Sequence, residues 1–282
     1  MYDDKTIVLG GVRHHYLDWG NPEAPPLLLV HGLTSHGHVF DPLAARLRER
    51  FHVLALDVRG RGESDWAPPE SYAIPTYVKD VLALLDQLEI PAVHYLGTSM
   101  GGLLGMTLAA QAPQRLLSVV VNDIGPVINP AGMERIASRV GRKNGSYATV
   151  EEYVDHDLLS YFYFLKDRPR QQLVDQARWY LRQNEDGTYR AKYDPAIGGG
   201  TSSDPEALQK AAKFFWSAWG SITCPLMLIR GAESDLLSPE TARAMGEAQP
   251  GMKMVEVPGA SHAPFLDEPA ALAALDGFYG QF

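Results

Sequence analysis

The chain has 282 residues, of which 45% are hydrophobic and 21% charged, so it is long enough for one large or two small globular domains with a full core. Its net charge of −9 at pH 7 argues against nucleic acid or an anionic membrane surface as a partner, and its longest run of Val, Ile and Leu, "LLLV", is far shorter than a membrane span. The start "MYDDKTIVLGG" lacks the apolar stretch of a secretory signal and the single cysteine, Cys224, excludes an internal disulfide, so we expect a cytoplasmic protein.

Short apolar runs, each ended by a turn or loop signal, predict strands along most of the chain. In order they are "TIVLGG", "VRHHYLDWG", "PPLLLVHG", "FHVLALDVRG", "AVHYLGTSMG", "LLSVVVNDIGP", "CPLMLIRGAESD" and "MKMVEVPGASH". Nearly continuous Val, Ile and Leu is typical of strands buried on both faces of a parallel sheet. No helical pattern separates the first two runs, so they predict an antiparallel hairpin at one edge.

Helical patterns follow most of the later strands. They are "FDPLAARLRER", "PTYVKDVLALLDQLEI", "SMGGLLGMTLAAQAP", "SPETARAMGEAQ" and "PAALAALDGFYGQF". Strands that alternate with helices predict an α/β fold, a mostly parallel sheet with helices on both faces.

The alternation stops between Pro126 and Trp216. This stretch has 13 Lys and Arg against 12 Asp and Glu, and it holds 13 of the 27 aromatic residues. It is too long for an unstructured loop, and its patterns are helical. We therefore predict an α/β core at 1–125 and 217–282, with 126–216 as a helical cap over the carboxyl ends of the strands.

The stretch "LGTSMGG" places Ser99 between a predicted strand and a predicted helix. Gly97 and Gly101 give the G-x-S-x-G spacing, which allows a sharp turn that exposes a serine hydroxyl above the sheet. The amino end of the helix favours negative charge that develops there. The pattern predicts a nucleophile, although a glycine-rich packing turn is the alternative.

A serine hydroxyl needs a base to take its proton, and His262 is the candidate. It follows the last predicted strand in "VEVPGASHAPFLDEP", within a turn of small residues that lets the imidazole project. A carboxylate must orient that imidazole, and two compete. Asp235 follows the penultimate strand and Asp123 follows the strand after the nucleophile helix; we favour Asp235 and interpret Asp123 as a loop residue or helix cap.

Two backbone N–H groups are candidates for the oxyanion hole. One belongs to Met100, directly after the nucleophile. The other belongs to Leu33 in "VHGLTSHGHVF", where Gly32 permits a tight turn. His31 is expected to hold this loop by hydrogen bonding.

The segments "HGLTS", "DVRGRGES", "GTSMGG", "RGAESD" and "GASHAP", in this order, resemble the α/β-hydrolase superfamily. They are distributed along most of the chain outside 126–216. The resemblance implies an eight-stranded, mostly parallel sheet with an antiparallel second strand, a helical cap after the sixth strand, and an enzyme with no cofactor and no metal. It also implies that Asp57 and Arg59 brace a loop rather than touch substrate.

Several branches of the superfamily can be compared with these residues. Ser99 excludes the branches with an aspartate nucleophile, haloalkane dehalogenases and epoxide hydrolases. The loop His31-Gly32-Leu33 lacks the three glycines of the hormone-sensitive-lipase branch. Carboxylesterases, lactonases, carbon–carbon bond hydrolases, aminopeptidases and cofactor-free haloperoxidases stay open.

The sequence thus predicts a serine hydrolase of the carboxylesterase type that acts on a small-molecule ester. The rings of the cap, with Phe162, Phe164 and Trp216 as candidates, are expected to line an apolar substrate pocket. The alternatives are a lactonase, a carbon–carbon bond hydrolase that grips a carboxylate with Arg178 or Arg182, and a non-catalytic hydrolase-like binding protein.

Overall fold

The computed structural model describes residues 1–140, 145–200 and 204–282. One eight-stranded sheet forms its centre, with the strand order β1-β2-β4-β3-β5-β6-β9-β10. The first two strands pair antiparallel with each other, and β2 also pairs antiparallel with β4, whereas all other neighbours are parallel. The predicted edge hairpin and mostly parallel sheet are confirmed. The strands are Asp3–Leu9 (β1), Val12–Asp18 (β2), Pro26–Val30 (β3), His52–Leu56 (β4), Val93–Thr98 (β5), Leu116–Asn122 (β6), Leu226–Gly231 (β9) and Lys253–Val257 (β10).

Helices cover both faces of this sheet, as predicted. Side chains alternate between the faces along each strand, so Leu28 belongs to one buried cluster whereas Leu27 and Leu29 belong to the other. The helices of the sheet domain are Asp41–Leu47 (α1), Ile74–Gln87 (α2), Met100–Gln111 (α3), Pro239–Ala248 (α9) and Pro269–Tyr279 (α10).

The chain between β6 and β9 forms a further layer, and we refer to residues 130–220 as the inserted segment. Its helices are Pro130–Val140 (α4), Val150–Tyr153 (α5), Leu159–Tyr161 (α6), Arg170–Tyr180 (α7) and Pro205–Gly220 (α8), with a π-helical turn at Val154–Leu158. It has a small buried cluster of its own around Tyr153, Leu158 and Leu173. The boundaries 126–216 stay a prediction.

A two-stranded antiparallel hairpin, Leu181–Gln183 (β7) with Tyr189–Ala191 (β8), lies within the inserted segment. From the sequence we predicted only helices in this segment. Strands of three residues show no alternation that a sequence can reveal, and the turn "NEDG" between them was the one available signal.

The loop after β4 is braced by buried ion pairs and hydrogen bonds. Arg59 binds Asp80 of α2 through two bonds of 2.6 Å. Asp57 accepts the backbone N–H groups of Gly37 at 2.6 Å and Glu63 at 2.9 Å. These contacts agree with the bracing role expected for Asp57 and Arg59. Within the described ranges, no helix is both long and apolar enough to cross a bilayer.

Candidate active site

Ser99 lies at the sharp corner where β5 passes into α3. Its φ of 53° and ψ of −114° lie in a region that residues with a side chain rarely adopt. Steric contact accounts for both flanking glycines: a Cβ on Gly97 would lie 2.2 Å from the carbonyl of Gly101, and a Cβ on Gly101 would lie 2.1 Å from the carbonyl oxygen of Val30. Helix α3 thus approaches β5 at Gly97 and β3 at Gly101 too closely for a side chain at either position.

His262 brings a serine and a carboxylate into one hydrogen-bonded chain. Its Nε2 lies 2.8 Å from Ser99 Oγ, and its Nδ1 lies 2.9 Å from Asp123 Oδ2. A carboxylate only accepts, so Nδ1 carries the proton and Nε2 is left to accept the serine hydroxyl. Asp123 and His262 are both buried, which shields the bond between them from water.

Two neighbouring parallel strands place the ends of this chain. The last residues of β5 and β6, Thr98 and Asn122, are paired across the sheet, so Ser99 and Asp123 each stand one residue beyond the same edge. The Asn122 amide donates to Thr98 Oγ1 at 3.1 Å and to Pro264 O at 2.9 Å, which ties the loop of His262 to both strand ends.

Asp123 holds the position beside His262 that we expected for Asp235, so our sequence-based choice of the third residue was wrong. The Asp235 carboxylate binds Arg135 of α4 through bonds of 2.5 and 2.7 Å. Burial raises the pKa of Asp235, but the bonds and charge of Arg135, with a smaller contribution from the charge of His262, outweigh it and hold the pKa below its usual value. The neighbouring Ser234 instead turns its hydroxyl to Asp123 at 2.7 Å, so this loop supports the other carboxylate.

The distance from the end of the strand was the signal that could have identified Asp123. It follows β6 by one residue, as Ser99 follows β5, whereas Asp235 is four residues beyond β9. Asp123 also accepts the backbone N–H of Gly231 at 2.9 Å, a contact that only the folded chain reveals.

The loop after β3 lies beside the serine. A Cβ on Gly32 would be 3.5 Å from Ser99 Cβ, and Leu33 lines the space above the serine. His31 holds the loop: its Nδ1 donates to Gly32 O at 2.7 Å, and its Nε2 accepts the N–H of Val58 at 3.0 Å. Burial lowers the pKa of His31 to about 4, so the imidazole is neutral near pH 7. Met100 is the first residue of α3, directly after Ser99.

A cavity, here called the Ser99 cavity, opens over these groups, with about 650 Å³ of space that is partly open to solvent. Apolar side chains form most of its wall, including Phe162, which the sequence predicted, and Ile136 and Phe265, which it did not. Trp216 does not line it; that ring packs against the main core instead. The side chain of Phe164 lies outside what the structure describes.

Cationic side chains are not among the residues that line the Ser99 cavity in the described part of the chain, and this includes Arg178 and Arg182. Arg182 binds Glu63 at 2.7 Å. Two arginines near the cavity wall are also held by carboxylates: Arg135 by Asp235, and Arg168 by Asp267 through two bonds of 2.6 Å.

Comparison with known proteins agrees with this architecture. Residues 25–269 match the model of the alpha/beta hydrolase fold family. The chain is 35% identical over 272 residues to a 3-hydroxybutyrate-oligomer hydrolase from Cupriavidus necator, covering 95% of this chain and 92% of that one. It is 30% identical to a 2-(acetamidomethylene)succinate hydrolase from Mesorhizobium japonicum, covering 84% and 81% of the two chains.

A solved structure shows the same fold. The crystal structure of an alpha/beta hydrolase from Novosphingobium aromaticivorans has a TM-score of 0.89 and 33% sequence identity, and covers 100% of this chain and 99% of that one. The chain therefore belongs to the α/β-hydrolase family, and it is a hydrolase. This confirms the superfamily that the five sequence segments indicated.

The two glycines of the corner lead to a stability prediction. We expect Gly101→Ala to lower the free energy of unfolding by about 3 kcal/mol or more, because its Cβ would overlap a backbone carbonyl that cannot move away. Gly277 of α10 is a matched control, since a Cβ there meets nothing within 4 Å. Gly277→Ala should instead stabilise the protein by up to about 1 kcal/mol. Urea denaturation measures both, and equal effects would contradict the steric account.

Proposed function

We propose that the protein hydrolyses carboxylic esters through an acyl-enzyme intermediate on Ser99. The observation that carries this proposal is the continuous chain of hydrogen bonds, 2.8 Å from Ser99 Oγ to His262 Nε2 and 2.9 Å from His262 Nδ1 to Asp123. A serine with a base in contact, and a base oriented by a buried carboxylate, is the arrangement that nucleophilic acyl transfer requires.

In the first half of the reaction, Ser99 Oγ forms a bond to the ester carbonyl carbon while its proton passes to His262 Nε2. The imidazolium that results is stabilised by Asp123. When the tetrahedral intermediate collapses, the bond from carbon to the alcohol oxygen breaks, and His262 returns the proton to that oxygen. In the second half, water gives its proton to His262 and its oxygen to the acyl carbon, and Ser99 is released with its hydroxyl restored.

The negative oxygen of the tetrahedral intermediate needs donors that are already in place. The backbone N–H groups of Leu33 and Met100 fit this role, because they lie on the two segments that flank Ser99. The bonds of His31 on the first segment hold its backbone in position before substrate arrives. The corner at Ser99 does the same for Met100.

The substrate that we propose is an ester of a short hydroxy acid, including its oligomers. The wall of the Ser99 cavity is mainly apolar, which suits a short acyl chain without charge near the carbonyl. The relative from Cupriavidus necator, which is 35% identical, is named for hydrolysis of 3-hydroxybutyrate oligomers. A carbon–carbon bond hydrolase that grips a carboxylate is less well supported, since no described residue of the cavity wall is cationic.

A panel of nitrophenyl esters, lactones and a dienolate ring-cleavage product tests this function. We expect turnover of short-chain esters. We also expect Ser99→Ala to lower kcat by about 10⁴-fold or more, because the substitution removes the nucleophile but nearly keeps the size of the side chain. Thermal melting of the variant should match the parent. Wild-type protein that turns over only the dienolate, or none of these compounds, would refute the proposal.

The choice of the acid gives a separate prediction. Asp123→Asn should lower kcat by about 10⁴-fold, because an amide facing Nδ1 favours the wrong imidazole tautomer. Asp235→Asn is the matched control, and we expect it to change kcat by less than about 10-fold, because Asp235 serves Arg135. Steady-state kinetics on one short ester measure both, and the opposite ranking would return the role to Asp235.

A further inference from the structure

A second cavity, with about 860 Å³ of space, adjoins the Ser99 cavity. Val39, Tyr180 and Phe265 line both cavities, so a single layer of side chains separates them. Tyr180 is held in that layer, with its ring 4.3 Å from the ring of His36 and its hydroxyl 3.5 Å from Ser35 Oγ. An acyl chain on Ser99 that extends past Tyr180 would reach this second cavity.

The polar groups of the second cavity are carboxylates, amides and the imidazoles of His36 and His38. Asp41, Asp175, Gln172 and Gln176 line it, and no lysine or arginine does so within the described residues. His38 supplies part of the wall, where it binds the carboxylate of Asp41 at 3.0 Å. Such a lining repels a carboxylate but offers donors and acceptors to a neutral hydroxyl.

A flat apolar surface accompanies these polar groups. Trp179 stacks on His38 with the ring centroids 3.7 Å apart and the planes 18° apart. The Lys192 ammonium lies 5.8 Å from the centre of the Trp179 ring and pairs with Glu63 at 2.6 Å. The indole is 40% exposed, so a ligand chain can lie along it.

We propose that the second cavity binds the hydroxyl-terminal units of an oligomeric hydroxy-acid ester, and this inference rests on the proposed function. In such a chain the acyl group attached to Ser99 carries the free hydroxyl, and the departing alcohol carries the carboxylate. The neutral, hydroxyl-bearing end therefore enters the acidic second cavity, and the charged end leaves with the alcohol. The cavity sets a preference for acyl groups of two or more units.

Nitrophenyl esters of one, two and three linear 3-hydroxybutyryl units test the preference, because only the acyl side varies. We expect kcat/KM to rise with the number of units, and Trp179→Ala to lower the ratio of three units to one unit by about 10-fold. Succinylation of the terminal hydroxyl, which adds a carboxylate, should remove most of the advantage of the longer acyl groups.

Trp66→Ala is the matched control, because that indole is 48% exposed and lies 5.1 Å from the Arg190 guanidinium carbon, outside both cavities. It should leave the ratio unchanged. A ratio that is the same in Trp179→Ala as in the parent, or a parent with no preference for length, overturns the subsite while ester hydrolysis stands. Absence of turnover for every ester would instead refute the proposed function.

A different observation carries a second inference, which concerns Arg61. Its side chain is fully buried. Its Nε donates to Leu33 O at 2.9 Å, and its Nη2 lies 3.7 Å from Met100 Sδ. Its Nη1 donates to Arg59 O at 2.8 Å and to Tyr77 Oη at 2.9 Å.

This guanidinium thus touches both residues whose N–H groups we assign to the oxyanion hole. Burial lowers the pKa of Arg61, while Tyr77, Tyr72 and Asp194 oppose that effect. An arginine keeps its charge at neutral pH even when it is buried. A positive charge in a site without water acts strongly on a negative charge that develops nearby.

We infer that Arg61 is a positioning residue for the oxyanion hole. It holds the hole through its contacts with Leu33 and Met100, and its positive charge stabilises the negative oxygen that the hole binds. This inference also rests on the proposed function. The hydrogen bond from the buried Arg61 to the Leu33 carbonyl supports it, because this bond fixes the loop that presents the Leu33 N–H.

Arg61→Met, Arg61→Lys and Tyr77→Phe separate the charge from the packing. We expect Arg61→Met to lower kcat by about 10–100-fold with little change in KM, somewhat less than the loss of a direct oxyanion donor. Arg61→Lys keeps the charge and should lose less. Tyr77→Phe removes one bond to Arg61 but keeps the charge, so it should lower the melting temperature and leave kcat within about 3-fold.

The affinity for a trifluoromethyl ketone, which forms an alkoxide on serine, is the readout that a merely structural role would not move. It should weaken in parallel with kcat in Arg61→Met. If Arg61→Met does not fold, the comparison of Arg61→Lys with Tyr77→Phe decides. An affinity and kcat that follow melting temperature alone across the variants would overturn the role of Arg61.

Discussion

The close approach of β5 and α3 at Ser99 is the constraint on which the rest of the site depends. The backbone there is so tight that neither Gly97 nor Gly101 could carry a Cβ without meeting a carbonyl. The energetic cost of the unusual Ser99 conformation is sustained by burial on both sides, since β5 lies in the middle of the sheet and α3 packs on it. A corner on a less central strand would lack this support.

From that corner, the parallel sheet supplies the remaining geometry. Neighbouring parallel strands end at one edge, so a residue just beyond β5 and a residue just beyond β6 face the same space. The loop after β10 must then cross the end of β9 to reach them. Gly231 permits this crossing, because a Cβ there would lie 2.5 Å from Ser261 O. Asn122 completes the contact through Pro264 O.

The sequence predicted those features that leave a local pattern of residues, and it did not predict those that depend on contacts between distant parts of the chain. The mostly parallel sheet, the helices on both faces and the edge hairpin followed from hydrophobic runs, and the placement of Ser99 and His262 followed from small-residue turns at strand ends. The choice between Asp123 and Asp235 had a weaker signal, because both carboxylates follow strands and only the number of residues beyond the strand end, one against four, separates them. Arg135, which binds Asp235 from 100 residues away along the chain, is a partner that no local pattern reveals.

The inserted segment was harder to predict, because packing decides which of its side chains line the site and no sequence pattern marks them. Trp216 and Phe162 are both rings on helical stretches, yet only Phe162 turns toward the Ser99 cavity. The hairpin of β7 and β8 is too short for any periodicity to reveal. Ile136 and Tyr180 line the cavity from helices α4 and α7, whose sequences are otherwise polar and gave no reason to single them out.

One loop connects the proposed catalytic residues to the inserted segment. The segment after β4 binds the inserted segment through backbone hydrogen bonds, Gly62 N–H to Lys192 O and Asp194 N–H to Gly60 O, both 2.8 Å. Between those bonds, Arg61 reaches back to the carbonyl of Leu33 beside the serine. The loop that supports the proposed oxyanion hole is therefore also the loop that binds the inserted segment. A change in how the inserted segment sits on the sheet would reach Leu33 through a single residue.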